Sequence, residues 1–260
     1  MNKPVLIVLA GLPAAGKSTF ASSMGRFLSE HHQIRSIIIA SDTVRAEIPA
    51  LEEAFIPELE PLVRRMTLDR VESALTQGLW VIHDDLNYYR SMRFELVTIA
   101  RAHEVPHALI HIATPRATCL GFNEARGRKI PDEVILKDDA RFDAPGLDPW
   151  DEPFAALKAP GPDEKELAGI ANRLLILSES YRPETIPIKE PHITAHNERL
   201  DLLARKIVGD LYSTGKSRVD GKMVSKHRQE LVTRAGEEAL SEEDAESLFR
   251  KELGALFTNQ

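Results

Sequence analysis

The sequence lacks the features that mark disulfide-rich, membrane-spanning or strongly basic proteins. Its single cysteine, Cys119, excludes an intramolecular disulfide framework and favours a reducing compartment. No apolar run is long enough for a membrane span, and the run at residues 5–10 is too short for the core of a signal peptide. The net charge is −7, so total charge alone does not indicate nucleic acid. We therefore expect a soluble cytoplasmic protein without a membrane partner.

In the first two thirds of the chain, short apolar runs alternate with amphipathic stretches. This alternation predicts an α/β fold with a mainly parallel sheet flanked by helices. The strands are nearly continuous in apolar residues, as expected where both faces of the sheet are covered. The predicted strands are residues 5–10, 36–40, 79–83 and 107–112, and the predicted helices are residues 17–30, 57–77, 91–102, 115–127 and 163–178.

Beyond residue 131 the pattern weakens, and a second region begins near residue 180. After Pro131 the chain is predicted to be irregular as far as the helix that begins at Asp163, and residues 143–153 are rich in turn signals. A proline-rich linker composition follows at 181–195. The remaining sequence has only helical periodicity. We predict a domain at 1–180 and an all-helical C-terminal domain at 181–260.

One stretch of the helical region is basic, unlike the protein as a whole. Between Arg199 and Arg234 there are nine cations and four anions, a net charge of +5. Two interpretations stay open on charge alone: a nucleic-acid surface or a solvated helix face. Dimerisation of the chain is a third use for these helices.

The stretch GLPAAGKS fits the spacing G-x-x-x-x-G-K-[ST] between a predicted strand and a predicted helix. Backbone N–H groups of such a loop hold phosphate oxygens at a helix N-terminus. Lys17 is expected to reach the β- and γ-phosphates of ATP, and Ser18 to bind Mg²⁺. The predicted nucleotide-binding residues are Gly11, Leu12, Pro13, Ala14, Ala15, Gly16, Lys17, Ser18 and Thr19.

Asp42 and Arg45 follow the second predicted strand. The carboxyl ends of parallel strands face the ligand crevice, so both residues are expected beside the nucleotide. Asp42 can orient an acceptor hydroxyl and accept its proton, and Arg45 can hold the acceptor or offset charge. The alternative role of Asp42 is a helix N-cap, which is compatible with catalysis.

The third predicted strand runs into a second polar segment. Asp84 is the predicted metal-binding carboxylate, with Asp85 as the alternative. Asn87, Tyr88 and Arg93 are predicted to bind the substrate. Further along the chain, Arg126 is the predicted catalytic arginine of a lid over the γ-phosphate.

With these motifs assembled, the chain resembles the archaeal O-phosphoseryl-tRNA(Sec) kinase family. The resemblance covers nearly the whole chain and includes GLPAAGKST, SDTVR, VIHDDLNYYRSMR and EARGRKIPDEVI. It implies a P-loop kinase domain that uses ATP and Mg²⁺ and a helical domain that grips tRNA. The acceptor implied is the serine hydroxyl of seryl-tRNA(Sec).

The resemblance also assigns residues. The family's catalytic pair falls on Asp42 and Arg45. Its lid carries two arginines spaced R-x-x-x-R, but here only the second, Arg126, is present and Phe122 occupies the first position. Arg116 or Arg128 is the candidate substitute. In the tail, the expected tRNA contacts are Arg205, Lys206 and Arg228.

Two other functions stay open at this point. The Elongator-associated regulatory ATPase family has a similar third-strand motif and would make the chain a tRNA-dependent partner protein, although the SDTVR segment argues against it. A polynucleotide or small-metabolite kinase is the other alternative, and the basic tail disfavours a metabolite.

Overall fold

The structure, a computed structural model, describes residues 3–49, 59–159, 161–183, 195–214 and 221–258. The chain divides into two compact units, residues 1–183 and 184–260. Within the described ranges, no helix combines the length and apolarity needed to cross a bilayer.

The first unit is built on a five-stranded parallel sheet with strand order β2-β3-β1-β4-β5. Alternate residues of the central strand enter two different cores. Ile7 and Leu9 pack on one face, and Leu6 and Val8 pack on the other. This double burial explains why the central strand is apolar throughout. The strands are β1 Leu6–Ala10, β2 Ser36–Ile39, β3 Trp80–His83, β4 His107–Ile112 and β5 Ala155–Leu157.

Seven helices of this unit connect and cover the strands among the described residues. They are α1 Lys17–His32, α2 Ser41–Ala46, α3 Glu60–Thr76, α4 Arg90–Ala102, α5 Arg116–Ala125, α6 Asp132–Arg141 and α7 Glu164–Ser180. The register pairs Val8 of β1 and Ile39 of β2 with the same residue, His83 of β3. The turns that follow β1, β2 and β3 therefore meet at one edge of the sheet, where ligands bind in α/β folds.

The second unit contains α8 Ala195–Thr214, α9 Gly221–Glu237 and α10 Glu242–Thr258. Each helix contributes small or aliphatic side chains to one core, and α10 adds Phe249. The predicted α/β sheet and all-helical tail are thus confirmed.

The prediction of irregular chain after Pro131 is wrong. This segment contains α6, a 3-10 helix at Pro149–Asp151 and the three-residue strand β5. The 3-10 helix is anchored by Asp151, which pairs with Arg93 of α4 inside the core. Since the two residues are far apart in sequence and β5 is very short, neither element leaves a periodic pattern.

Candidate active site

The loop between β1 and α1 has a backbone that requires glycine at two positions. Gly16 has φ 103°, in the left-handed region that favours glycine. A Cβ on Gly11 would lie 2.6 Å from the carbonyl oxygen of Ile112. Thr114 Oγ1 donates to the carbonyl of Ala15 over 2.8 Å and ties the loop to the segment after β4. These contacts support the predicted phosphate cradle at the N-terminus of α1.

Lys17 is the first residue of α1, and its side chain folds back onto this loop. Its Nζ donates to the carbonyl oxygens of Gly11 and Leu12, over 3.0 and 2.8 Å. Burial lowers the pKa of Lys17, while the carboxyls of Asp84 and Asp85 act against that shift. The ammonium is therefore buried and held by the carbonyl oxygens of the loop itself.

Ser18 and Asp84 come together, as expected for a metal site. Burial raises the pKa of Asp84, and its hydrogen bond with Ser18 opposes that shift. Hydroxyl and carboxylate oxygens are ligands that Mg²⁺ prefers, so this pair fits the ion. The Oδ1 of Asp85 instead accepts a local hydrogen bond, from the N–H of Leu86 over 2.7 Å. The geometry favours Asp84 over Asp85 as the metal carboxylate.

Asp42 and Arg45 share a network with a residue that sequence reasoning missed. Arg45 Nη1 donates to Asp42 Oδ1 over 2.5 Å. Its Nε and Nη2 donate to the two carboxylate oxygens of Glu60, over 2.9 and 2.8 Å. The hydrogen bond with Glu60 is the main cause that raises the pKa of Arg45. Glu60 at the start of α3 thus holds the arginine, while the Asp42 side chain stays 92% exposed.

Asn87 and Arg93 have structural positions that differ from the predicted substrate-binding role. Each is 1% exposed. Asn87 Nδ2 donates to the carbonyl of Leu9 over 2.7 Å, and Arg93 Nη1 donates to the carbonyl of Asn87 over 2.9 Å. Arg93 also binds both carboxylate oxygens of Asp151, over 2.6 and 2.8 Å. Direct contact with a substrate does not fit this burial; both residues instead shape the loop after β3.

Tyr88 and Tyr89 lie in the same loop, between β3 and α4. Their ring centroids are 4.1 Å apart in an edge arrangement. Burial raises the pKa of Tyr88. The carbonyl of Tyr88 accepts from the N–H of Asp143 over 2.9 Å, which fastens the loop to the end of α6. Tyr88 therefore stays a candidate substrate contact, held between the third-strand loop and α6.

A cleft of about 540 Å³ extends from the phosphate loop toward α5. Arg126 and Phe122 both line it, and Phe122 is 42% exposed. The two candidate substitute cations are paired outside this lining: Arg116 with Asp139 and Arg128 with Glu124, each over 2.9 Å. The lid position thus combines one arginine with one aromatic ring. Sequence reasoning missed a further part of the lining, formed by Leu157, Lys158, Ala159, Gly161 and Pro162.

In the second unit, the predicted tRNA contacts divide into paired and exposed cations. Asp201 accepts from both Arg205 and Arg228. Arg228 is only 4% exposed, so the prediction that it touches tRNA phosphate conflicts with its burial. Lys206 is exposed. Four other cations of the basic stretch lie outside the described residues or side chains, namely Arg199, Lys216, Arg218 and Lys222.

The chain is similar to known proteins over most of its length. A family model described as chromatin associated protein KTI12 matches residues 5–243. L-seryl-tRNA(Sec) kinase of Methanococcus maripaludis is 32% identical over 234 residues, which cover 88% of this chain and 89% of that protein. Protein kti12 of Schizosaccharomyces pombe is 29% identical over 158 residues, which cover 57% of this chain and 55% of that protein.

Among solved structures, Chaetomium thermophilum Kti12 in complex with ADP-AlF3 superposes with a TM-score of 0.56. It is 22% identical and covers 66% of this chain and 98% of that chain. This likeness supports the P-loop fold, while the family match and the archaeal relative extend through both units. The chain therefore belongs to the KTI12 and L-seryl-tRNA(Sec) kinase family of P-loop proteins.

Proposed function

We propose that this protein transfers the γ-phosphoryl group of ATP to the side-chain hydroxyl of serine carried by tRNA(Sec). The product would be O-phosphoseryl-tRNA(Sec), a precursor for selenocysteine synthesis. The observation that carries the proposal is the Asp42–Arg45–Glu60 network at the end of β2, beside the phosphate loop. An exposed carboxylate can act as the general base for a hydroxyl acceptor, and the arginine beside it can stabilise negative charge.

The chemistry follows from these positions. The serine oxygen attacks the γ-phosphorus, and the bond from that phosphorus to the β,γ-bridging oxygen breaks to release ADP. Asp42 accepts the hydroxyl proton, and Arg45 offsets charge on the transferring group. Lys17, whose ammonium is held by the phosphate loop, binds β- and γ-phosphate oxygens. Mg²⁺ held by Ser18 and Asp84 would supply further charge neutralisation on the phosphates.

The exposed cations of the helical unit support a tRNA partner through phosphate contacts. The archaeal relative named L-seryl-tRNA(Sec) kinase aligns across this unit as well as the sheet. Binding energy from a large tRNA, remote from the hydroxyl, can position a small acceptor for transfer.

A second function has a specific observation in its favour. The family model carries the KTI12 description, and KTI12 homologues are also relatives of this chain. On this reading the protein would be a tRNA-dependent regulatory ATPase, and water would take the place of the serine hydroxyl. The two functions differ in the final acceptor of the phosphoryl group: serine in the first and water in the second.

The test is incubation with γ-labelled ATP and seryl-tRNA, followed by mild deacylation and identification of the labelled amino acid. The proposal predicts labelled phosphoserine. Label found only as free phosphate would contradict it and favour the ATPase. Asp42→Asn serves as the matched control, since it should bind ATP and lose transfer.

A further inference from the structure

Thr114, just beyond β4, contributes a buried hydroxyl that the proposed transfer does not use. The residue is 4% exposed. Its Oγ1 donates to the carbonyl of Ala15 in the phosphate loop over 2.8 Å and accepts from the N–H of Ala159 over 3.1 Å. Ala15 and Ala159 both line the cleft of about 540 Å³. One side chain therefore joins the phosphate loop to the part of the cleft that follows β5.

The bond from Thr114 fixes the orientation of the peptide between Ala15 and Gly16. Thr114 does not itself line the cleft, so the Ala15 carbonyl is turned toward a residue behind the lining. In a trans peptide the carbonyl and the N–H point in opposite directions, so the Gly16 N–H is turned the other way. N–H groups at the start of a helix have no partner within the helix, and they bind anions there. The hydroxyl thus directs a donor of the phosphate cradle without touching the phosphate.

This peptide would turn easily if the hydroxyl were absent. Gly16 has no side chain to resist rotation, and among the described residues no atom lies within 4 Å of where its Cβ would be. Ala14 has φ 61°, in the left-handed region where a residue other than glycine is strained and must be held by its surroundings. Ala15 is 2% exposed, so its carbonyl would be left buried without a partner. A carbonyl that turned into the loop would repel phosphate.

We propose that Thr114 is a positioning residue of the nucleotide site, whose hydroxyl keeps the Gly16 N–H directed at a phosphate of the nucleotide. The inference rests on the ATP binding that both proposed functions share, and it does not depend on the acceptor. Lys17 cannot take the place of Thr114, because its ammonium binds the carbonyls of Gly11 and Leu12. The bond that Thr114 accepts from the segment after β5 in turn holds its hydroxyl in the orientation that reaches the loop.

The test measures ATP affinity by titration calorimetry and thermal unfolding without nucleotide. Thr114→Val keeps the shape of the side chain and removes the hydroxyl, while Thr114→Ala removes the hydroxyl and the methyl group. Thr114→Ser keeps the hydroxyl and removes only the methyl group. The matched control is Thr67→Val on α3. Thr67 is also buried, and its Oγ1 donates to the carbonyl of Val63 over 2.7 Å within its own helix.

Thr114→Val and Thr114→Ala should each weaken ATP binding by about 5–30-fold, as expected for the loss of a hydrogen bond to a charged group. Thr114→Ser and Thr67→Val should bind ATP as the wild type does. Wild-type affinity in folded Thr114→Val or Thr114→Ala would overturn the inference, and so would an equal loss in Thr114→Ser or Thr67→Val. A wild-type protein that does not bind ATP would refute the proposed function and this inference together. The fate of the phosphoryl group does not enter the test, so the acceptor and the role of Thr114 are decided separately.

Discussion

Replacing Glu60 with glutamine tests whether Arg45 must be held in place during phosphoryl transfer. Arg45 binds both carboxylate oxygens of Glu60 over 2.9 and 2.8 Å and reaches Asp42 with its remaining nitrogen. Glutamine keeps the volume and one acceptor oxygen but removes the charge and the second acceptor. Arg45 would then be held mainly by Asp42, which would displace the cation and weaken the predicted base.

The size of the effect follows from the exposure of the pair. A hydrogen bond to a charged group contributes about 1.5–3 kcal/mol, and less where solvent screens it. The Arg45 side chain is 25% exposed and the Glu60 side chain 33% exposed, so solvent screening reduces this contribution to about 1–2 kcal/mol. A loss of about 1–2 kcal/mol in the transition state lowers kcat about 5–30-fold.

The assay measures kcat and ATP affinity for the wild type, Glu60→Gln and a matched control, Glu47→Gln. Glu47 pairs with Arg70 and, like Glu60 with Arg45, links the end of α2 to α3, but it lies in an exposed pair. Only Glu60→Gln should lower kcat, and neither change should alter ATP affinity. An unchanged kcat in Glu60→Gln, or an equal loss in Glu47→Gln, would refute the positioning role.

Three further predictions concern the lid, the buried carboxyl of Asp138 and the C-terminal helical unit. Phe122→Arg should raise kcat about 3–10-fold in steady-state assays, because it adds a second lid cation beside the γ-phosphoryl group; a lower rate would mean that the ring is needed as a wall of the cleft. Asp138→Asn should stabilise the protein by up to ~3 kcal/mol at pH 7.5, since each pKa unit corresponds to about 1.4 kcal/mol and the folded-state pKa is raised from 3.8 to about 6. Ionisation of buried Asp138 opposes folding. The increase in the free energy of unfolding caused by Asp138→Asn, measured in urea, should therefore grow between about pH 4 and 6 and then level off. An increase that is independent of pH would contradict this cause. Lys206→Ala should flatten the salt dependence of tRNA binding by about 0.7–0.9 in log–log slope, whereas Arg228→Ala should mainly lower the stability of the helical unit by about 1–3 kcal/mol; a changed slope with unchanged unfolding in Arg228→Ala would reverse that assignment.

Local patterns predicted the framework of the fold and much of the candidate site. The phosphate loop is recognised from a continuous segment of sequence, because the apolar strand before Gly11 and the helix after Gly16 flank it directly. Asp42 and Asp84 follow strands directly, and the register of a parallel sheet then places them at one edge. Each of these inferences needs only residues that are close in sequence and the hydrophobic periodicity of strands and helices.

The missed features depend on contacts between distant segments. Arg93 looks like an available cation until Asp151, distant in sequence, is placed against it inside the core. Glu60 likewise becomes part of the site only because α3 packs beside α2. Asp138 sits among charged neighbours on α6, and only the packed helix shows that it faces inward. A single sequence gives no signal for such pairings, since burial is decided by the tertiary structure.

The stoichiometry of transfer tests the central claim most directly. In a single turnover with excess enzyme, ATP and seryl-tRNA, the amounts of ADP, phosphoserine and free phosphate are measured for the wild type and Asp42→Asn. The account predicts about one phosphoserine per ADP in the wild type, little free phosphate, and a rate about 10²–10⁴-fold lower in Asp42→Asn with ATP binding retained. One free phosphate per ADP without phosphoserine would contradict the account and identify a tRNA-dependent ATPase.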